Sequence, residues 1–142
     1  METNIDDMNP EIYSYLVPLL FENGAKDVFV TPVIMKKNRP GNILTILCET
    51  KHSSILEDII FTETSTLGIR KYPVERSELK RTHIKLDTDF GIVKVKAAYS
   101  GSRLLKIAPE YEQCKKIAME NNIPLKDVYT KISVAAGQKM TT

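Results

Sequence analysis

The order in which two hydrophobic periodicities alternate constrains this chain more than any single motif. An extended opening, Glu2-Thr3-Asn4-Ile5, runs into a turn at Asp6-Asp7, and Asn9-Pro10 reads as an N-cap followed by proline at the first helical position. The spacing of Ile12, Tyr15, Leu16, Leu19 and Leu20 predicts a helix with one buried face, ending near Asn23 with Gly24 as its stop. Pro18 removes a backbone donor within that helix and predicts a kink or an early end. Two β-rich runs, 27–34 and 42–48, flank the polar Lys36-Lys37-Asn38-Arg39-Pro40-Gly41 and predict a hairpin with a basic loop. Ser54 and Glu57 have capping-box spacing, and Ile55, Leu56, Ile59 and Ile60 supply the stripe of a second helix ending near 62–64. The chain is extended again over 69–74. This β-α-β-β-α-β order is the split βαβ order of a ferredoxin-like sandwich, in which both helices cover one face of an antiparallel sheet.

The pattern changes after residue 80. Ile84 and Leu86 alternate with His83, Lys85 and Asp87; after a Thr88-Asp89-Phe90-Gly91 turn, Val93, Val95 and Ala97 alternate with Ile92, Lys94 and Lys96, which predicts a second hairpin. A short strand over 104–108 leads to Pro109-Glu110, which opens a helix carrying Tyr111, Cys114, Ile117 and Ala118, with Tyr111 expected in the core. Pro124 opens a last helix whose Leu125, Val128, Tyr129, Ile132, Ala135 and Ala136 form a stripe, with Gly137 as its predicted stop and a frayed tail from Lys139. The expectation is an α+β chain of two parts, a ferredoxin-like subdomain over 1–80 and a small hairpin-plus-helices subdomain over 81–142. No Gly-, Ser- or Pro-rich linker separates them, so a compact pair is expected. The second part, about 60 residues, has little core of its own and is expected to lean on the first or on a neighbouring subunit.

Composition matters here for what it hides. Among 142 residues, 20 Lys+Arg against 18 Asp+Glu leave a net charge of +2, which argues against a dedicated nucleic-acid binder. By position the charges are segregated. The opening carries Glu2, Asp6 and Asp7; the hairpin loop carries Lys36, Lys37 and Arg39; a third segment carries Arg70, Lys71, Arg76, Lys80, Arg81 and Lys85 against Glu75 and Glu78. Lysines act as point charges and arginine binds two oxygens at once, so the loop suits a polyphosphate, although a solvated hairpin tip has the same composition. Ser65, Thr66 and Gly68 offer hydrogen bonds near the third segment. Asp6 and Asp7 suit Mg²⁺ or Mn²⁺ completed by triphosphate oxygens, and equally suit capping of the helix that follows. Lys85, Lys94 and Lys96 fall on one face of the second hairpin, which reads as a charged binding surface or as a solvated sheet.

Other chemistries lack their patterns. There is no P-loop, G-x-G-x-x-G, nucleophile elbow or H-E-x-x-H helix, and His52 and His83 have no partner spacing. Cys48 and Cys114 are far apart and outside any C-x-x-C pair, which points to packing rather than zinc. No apolar run approaches a membrane span and no basic leader opens the chain, so a cytoplasmic protein without membrane partners is expected.

Several long blocks then carry a resemblance: Glu2-Thr3-Asn4-Ile5-Asp6-Asp7-Met8-Asn9-Pro10, Asp27-Val28-Phe29-Val30-Thr31-Pro32 with Met35-Lys36-Lys37-Asn38-Arg39-Pro40-Gly41, Glu63-Thr64-Ser65-Thr66-Leu67-Gly68-Ile69-Arg70, Pro73-Val74-Glu75-Arg76, and Ala108-Pro109-Glu110-Tyr111-Glu112 with Cys114. In this order they resemble the C-terminal region of the nickel-insertion protein family that matures the lactate racemase cofactor. The resemblance implies a CTP-dependent cyclometallase that activates a pyridinium bisthiocarboxylate mononucleotide by cytidylyl transfer, releases pyrophosphate and inserts nickel through one carbon–nickel and two sulfur–nickel bonds. It implies Asp6 and Asp7 as ligands of the Mn²⁺ or Mg²⁺ accompanying CTP, and Lys36, Lys37, Asn38 and Arg39 around the triphosphate. Ser65, Thr66, Gly68, Arg70 and Arg76 would support a phosphate-bearing ligand, with Asp6, Asp7, Lys36 and Arg70 acting at the reacting phosphates. It also implies an N-terminal domain as partner and self-association as a trimer or hexamer. Two competing readings are a non-catalytic ferredoxin-like module for a small anionic ligand and an RNA-binding adaptor. Acids beside a phosphate site make chemical sense with a metal between them, which favours the enzyme over the adaptor.

Overall fold

Pairing of β-rich runs organises the chain into α+β architecture. Among residues 1–141, which the computed structural model describes, two three-stranded antiparallel sheets and four α-helices form. The chain divides into two compact units, Met1–Val74 and Glu75 onward.

In the first unit the strands β1 (Glu2–Ile5), β2 (Ala25–Met35) and β3 (Arg39–Cys48) lie in the order β1-β3-β2, with β3 central. The hairpin register runs from Met35↔Arg39 to Ala25↔Cys48, and β1 pairs Glu2↔Thr45 through Ile5↔Asn42. Helices α1 (Ile12–Glu22) and α2 (Ser53–Glu63) supply Leu16, Leu20, Leu56 and Ile60 to a core shared with Ile5, Leu44 and Ile46 from the sheet. Each of these leucines and isoleucines contributes about 1.5–3 kcal/mol by leaving water.

Several expectations are corrected. The run 69–74 does not form a strand: only Arg70 pairs with Glu2, through backbone bonds of 2.9 and 2.8 Å. Pro73 has no N–H for a ladder, so residues 71–79 have no regular structure and the sheet stays three-stranded. Tyr15 is 58% exposed and Ile55 is 46% exposed, so the buried stripe of α1 is Leu16 and Leu20 and that of α2 is Leu56 and Ile60. Pro18 is accommodated within an unbroken α1. Asn9 Oδ1 accepts the Glu11 N–H at 3.1 Å, and the helix begins three residues after Asn9. The Ser54–Glu57 capping box does not form, because a 3₁₀ turn over Thr50–His52 leads into α2 at Ser53 with no side-chain cap. Gly24 ends α1 with φ +99°, and a Cβ there would lie 2.6 Å from the His52 ring.

The second unit repeats the plan. Its strands β4 (Lys80–Thr88), β5 (Gly91–Ser100) and β6 (Arg103–Pro109) lie in that order, followed by α3 (Tyr111–Asn121) and α4 (Leu125–Thr141). Alternation sends Leu86, Val93 and Val95 inward against Cys114, Val128, Ile132 and Ala136 of the helices. Tyr111, expected in the core, is 52% exposed with the Lys115 ammonium 5.9 Å from its ring. Gly137 does not stop α4, which continues past it. Both cysteines are free thiols, and burial raises the pKa of the Cys114 thiol. No described helix is long and apolar enough to cross a membrane.

Candidate functional site

The end of β1 gathers the chemistry of the first unit. Ile5 closes the strand and the chain turns through Asp6 and Asp7. The β2–β3 connection returns beside it because Lys37 and Asn38 adopt consecutive left-handed conformations, φ 63° and 58°. Gly41 permits the approach: a Cβ there would lie 2.8 Å from the Ile5 carbonyl oxygen, 2.6 Å from Met35 Sδ and 3.2 Å from Asp6 Cβ. Arg39 is thereby held over Asp6, its Nη1 3.4 Å from Oδ2.

A second segment runs back along β1. Ser65 Oγ donates to Asp7 Oδ1, Thr3 Oγ1 lies 2.5 Å from Thr66 Oγ1 and donates to the Gly68 carbonyl at 2.8 Å, and Arg70 reaches Glu2 Oε2 at 3.5 Å. Asp6, Asp7, Arg39 and Ser65 therefore converge at one end of the strand, Thr66 and Gly68 sit at its middle, and Arg70 sits at its start. The span from Glu2 to Asp7 is about 16 Å if extended, so Arg70 is not part of the acid pair's immediate group. Arg76 belongs to the second unit, where Glu78 holds its guanidinium at 2.8 Å.

Two cavities flank the hairpin end. One, about 510 Å³, is lined by Asp6, Met8, Pro10, Pro40 and Asn42 among others. The other, about 440 Å³, is lined by Asn4, Val33, Ile34, Met35, Lys36 and Ile43. Among the described residues Lys36 and Lys37 have no acid partner, and the Asn4 Oδ1 atom is buried without a hydrogen-bond donor. Sequence reasoning did not single out Asn4 as a lining residue, nor Thr3, whose buried hydroxyl anchors the 66–68 segment.

The donor set sets the metal chemistry. Asp6 and Asp7 each have one carboxylate oxygen engaged, by Arg39 and Ser65, and a second oxygen with no partner among the described residues. Among the described residues no third His, Cys, Asp or Glu joins them. Two hard oxygen ligands fit Mg²⁺ or Mn²⁺, which draw the rest of an octahedral shell from phosphate and water.

Electrostatics differ around this group. The Tyr72 hydroxyl, donating to Glu2, is the main cause of a Glu2 pKa below the ordinary 4.5, with Thr45 and Arg70 adding to it. Glu2 in turn raises the Tyr72 pKa. In the second unit Glu110 Oε1 accepts from Lys96 Nζ and lies against His83 Nε2, each at 3.0 Å, and Lys96 foremost lowers its pKa.

Comparison with known proteins places this geometry. The nickel insertion protein family matches residues 1–129. The chain is 53% identical over 135 residues to the pyridinium-3,5-bisthiocarboxylic acid mononucleotide nickel insertion protein of Acetivibrio thermocellus, covering 95% of this chain and 33% of that protein. It is 50% identical over 132 residues to the protein of that name from Clostridium acetobutylicum, covering 93% of this chain and 31% of that one. The chain thus spans about a third of the length of these relatives. Among solved structures it is similar to LarC2, the C-terminal domain of a cyclometallase involved in the synthesis of the NPN cofactor of lactate racemase, with a TM-score of 0.88, 36% identity, and coverage of 94% of this chain and 92% of that one. Protein MK0293 of Methanopyrus kandleri shares the fold at a TM-score of 0.68 and 22% identity, with 95% of this chain and 83% of that one covered.

Proposed function

The chain belongs to the nickel insertion protein family, and from that premise we propose that it is the nucleotide-handling C-terminal part of an enzyme that inserts nickel into pyridinium-3,5-bisthiocarboxylic acid mononucleotide during synthesis of the lactate racemase cofactor. The nucleotide is CTP with Mn²⁺ or Mg²⁺, and nickel is the inserted ion. The observation that carries this reading is the convergence of Asp6, Asp7, Arg39 and Ser65 at the end of β1, beside Lys36 and Lys37, which have no acid partner among the described residues. Adjacent acids within a basic loop repel a bare phosphate and accept a metal-bound one.

Within this reading each group has a task. Asp6 and Asp7 would hold the divalent ion, which would supply charge neutralisation to the triphosphate oxygens. Lys36, Lys37, Asn38 and Arg39 would line the remaining phosphates, with Arg39, which is held on Asp6 at 3.4 Å, free to turn to a phosphate oxygen. Ser65 orients Asp7, while Thr66, Gly68 and Arg70 brace the segment that carries Ser65 along β1. Cytidylyl transfer joins the mononucleotide phosphate to the α-phosphorus of CTP and releases pyrophosphate, a reaction that depends on positioning and charge stabilisation rather than on a protein nucleophile. The rest of the machinery is an N-terminal domain like that of the longer relatives, together with further copies of this chain in a trimer or hexamer.

Calorimetric titration with CTP, ATP and GTP, with and without Mn²⁺ or Mg²⁺, tests the reading. Metal-dependent binding that favours CTP is the expected result; no nucleotide binding under any of these conditions contradicts it.

A further inference from the structure

On one side of β3 the ladder stops short of the strand's end. Toward β2, β3 is paired along its whole length, as far as Ala25↔Cys48. Toward β1, the pairing reaches only Glu2↔Thr45 and one residue more: the Met1 nitrogen donates to the Ile46 carbonyl and the Met1 carbonyl accepts the Ile46 N–H, each at 2.9 Å. Among the described residues Leu47 and Cys48 have no strand beside them on that side. In an antiparallel ladder every second residue turns its backbone groups to the same edge, so the N–H and C=O of Cys48 face the edge that those of Ile46 face. Unpaired ladder groups are a template for a further strand.

The space beyond Met1 has the shape of one. A cavity of about 530 Å³ lies there, lined by Met1, Leu47, Cys48, Ser53, Tyr72 and Val74 among others. Its far wall is the 71–74 segment, which has no regular structure and is nevertheless tied down. Arg70 bridges Glu2 through two backbone bonds, the Tyr72 hydroxyl donates to Glu2, and Lys71 Nζ holds Glu57 at 2.6 Å. β1 runs between β3 and Arg70, with paired strands about 4.8 Å apart, so a continuation of β1 past Met1 falls between β3 and this wall. Tyr72 and Val74 are 50% and 57% exposed, apolar surface that a strand there would cover.

The lining also sets the chemistry of the occupant. Lys71 carries its one charged side chain, and Glu57 already neutralises it. Met1, Thr3 and Ile5 share the core side of β1, and Met1 Sδ lies 3.8 Å from Cys48 Sγ and 3.7 Å from Ser53 Oγ. Alternation gives the first residue ahead of Met1 to the side of Leu47 and Tyr72, and the second to the side of Cys48 and Ser53. Both sides suit uncharged, β-forming side chains.

We propose that this groove takes an extended, uncharged peptide segment that continues β1 and pairs with Cys48, and that the segment belongs to the N-terminal domain. This rests on the proposed function in one respect, that such a domain is the partner. Chain direction sets the source. LarC2, which shares this fold, is the C-terminal domain of its protein, and the longer relatives carry most of their length outside the matched region. Chain arriving from an N-terminal domain enters this fold at the upstream end of β1, which is the mouth of the groove.

Amide hydrogen exchange in two fusions of the full chain tests the inference. The first carries, ahead of Met1, the segment of about eight residues that precedes the matched region in the Acetivibrio thermocellus relative, long enough for a strand. The second carries the same segment with proline at the two positions nearest Met1, which removes the donor that would reach the Cys48 carbonyl. The Cys48 amide should exchange roughly tenfold more slowly, or slower still, in the first fusion than in the chain without it, because a backbone hydrogen bond is gained. In the proline fusion it should exchange as fast as in the chain without any extension. Equal exchange at Cys48 in the two fusions overturns the inference. Protection of Cys48 in the unextended chain that grows with protein concentration also overturns it, since a second copy then fills the groove. Exchange is read without nucleotide. Slowed exchange at Cys48 in a chain that binds no CTP would overturn the proposed function and leave the groove filled as inferred; CTP binding with unslowed Cys48 would overturn this inference alone.

Discussion

The two units use one architecture and differ in where their charges meet. Each has a three-stranded antiparallel sheet with two helices on one face. In the first, opposite charges meet: Asp6 with Arg39, Glu2 with Arg70, Glu57 with Lys71. In the second they meet on the sheet and just before it, Glu110 with Lys96 and His83 and Glu78 with Arg76, while the register sets Lys85 directly against Lys94. The difference teaches that fold does not decide the ligand here. Adjacent acids and a basic loop at a strand end suit a metal–phosphate complex, whereas a single acid shared by a lysine and a histidine on a sheet face offers no such pair.

The comparison can be broken most sharply through the cores. Leu44→Ala removes a fully buried side chain from the first unit and is expected to cost about 2–5 kcal/mol. Hydrogen exchange should show the loss in β1–β3 while β4–β6 keep their protection; Ile132→Ala should do the converse. Equal loss across both units would mean that they unfold as one. Next in size is Gly41→Ala, where a Cβ meets a backbone oxygen and a methionine sulfur, with an expected cost of about 1–3 kcal/mol by chemical denaturation. Because Gly41 lets Arg39 reach Asp6, the same variant should weaken metal–nucleotide binding, which an isosteric core change would not.

Charge changes sharpen the comparison at smaller cost to the fold. Lys36→Ala and Arg39→Ala are each expected to weaken CTP binding roughly tenfold by calorimetry, with thermal stability nearly unchanged. Unchanged affinity in both would remove the loop from the site. The smallest effect concerns Glu110. Its pKa lies below the ordinary 4.5 in the folded chain, because Lys96 and His83 hydrogen-bond to it. Its contribution to stability is therefore present above that value and lost as the pH falls through its folded pKa. Glu110→Gln should flatten the acid limb of a stability-against-pH curve, and an unaltered limb would show that the contacts do not matter energetically.

Legibility from sequence followed the range of the interactions. The hairpins, the order of elements and the inward residues Leu86, Val93 and Val95 were readable because alternation and helical spacing are local. The lost fourth strand was not, since one bridge to Glu2 rather than the apolar content of 69–74 decides pairing there. Tyr15 and Ile55 misled because helical spacing defines a stripe without fixing its rotation against the sheet. Gly137 misled because a glycine inside a helix costs only about 1 kcal/mol relative to alanine, which burial of Ala136 and Ile132 in the same helix offsets. The residue types of the site were visible as charge clusters. Their grouping was not: Asp6 meets Arg39 across 33 positions and Asp7 meets Ser65 across 58, so only the folded chain distinguishes Arg39 and Ser65, which join the acids, from Arg70, which does not.

The most direct test is paramagnetic broadening of backbone amide signals by Mn²⁺ in the presence of CTP. The strongest broadening should fall on residues 6, 7, 39 and 65, depend on the nucleotide, and vanish in the combined Asp6→Asn and Asp7→Asn variant. Sharp signals at those four residues while broadening appears elsewhere would contradict the assignment of the metal–nucleotide site to the end of β1.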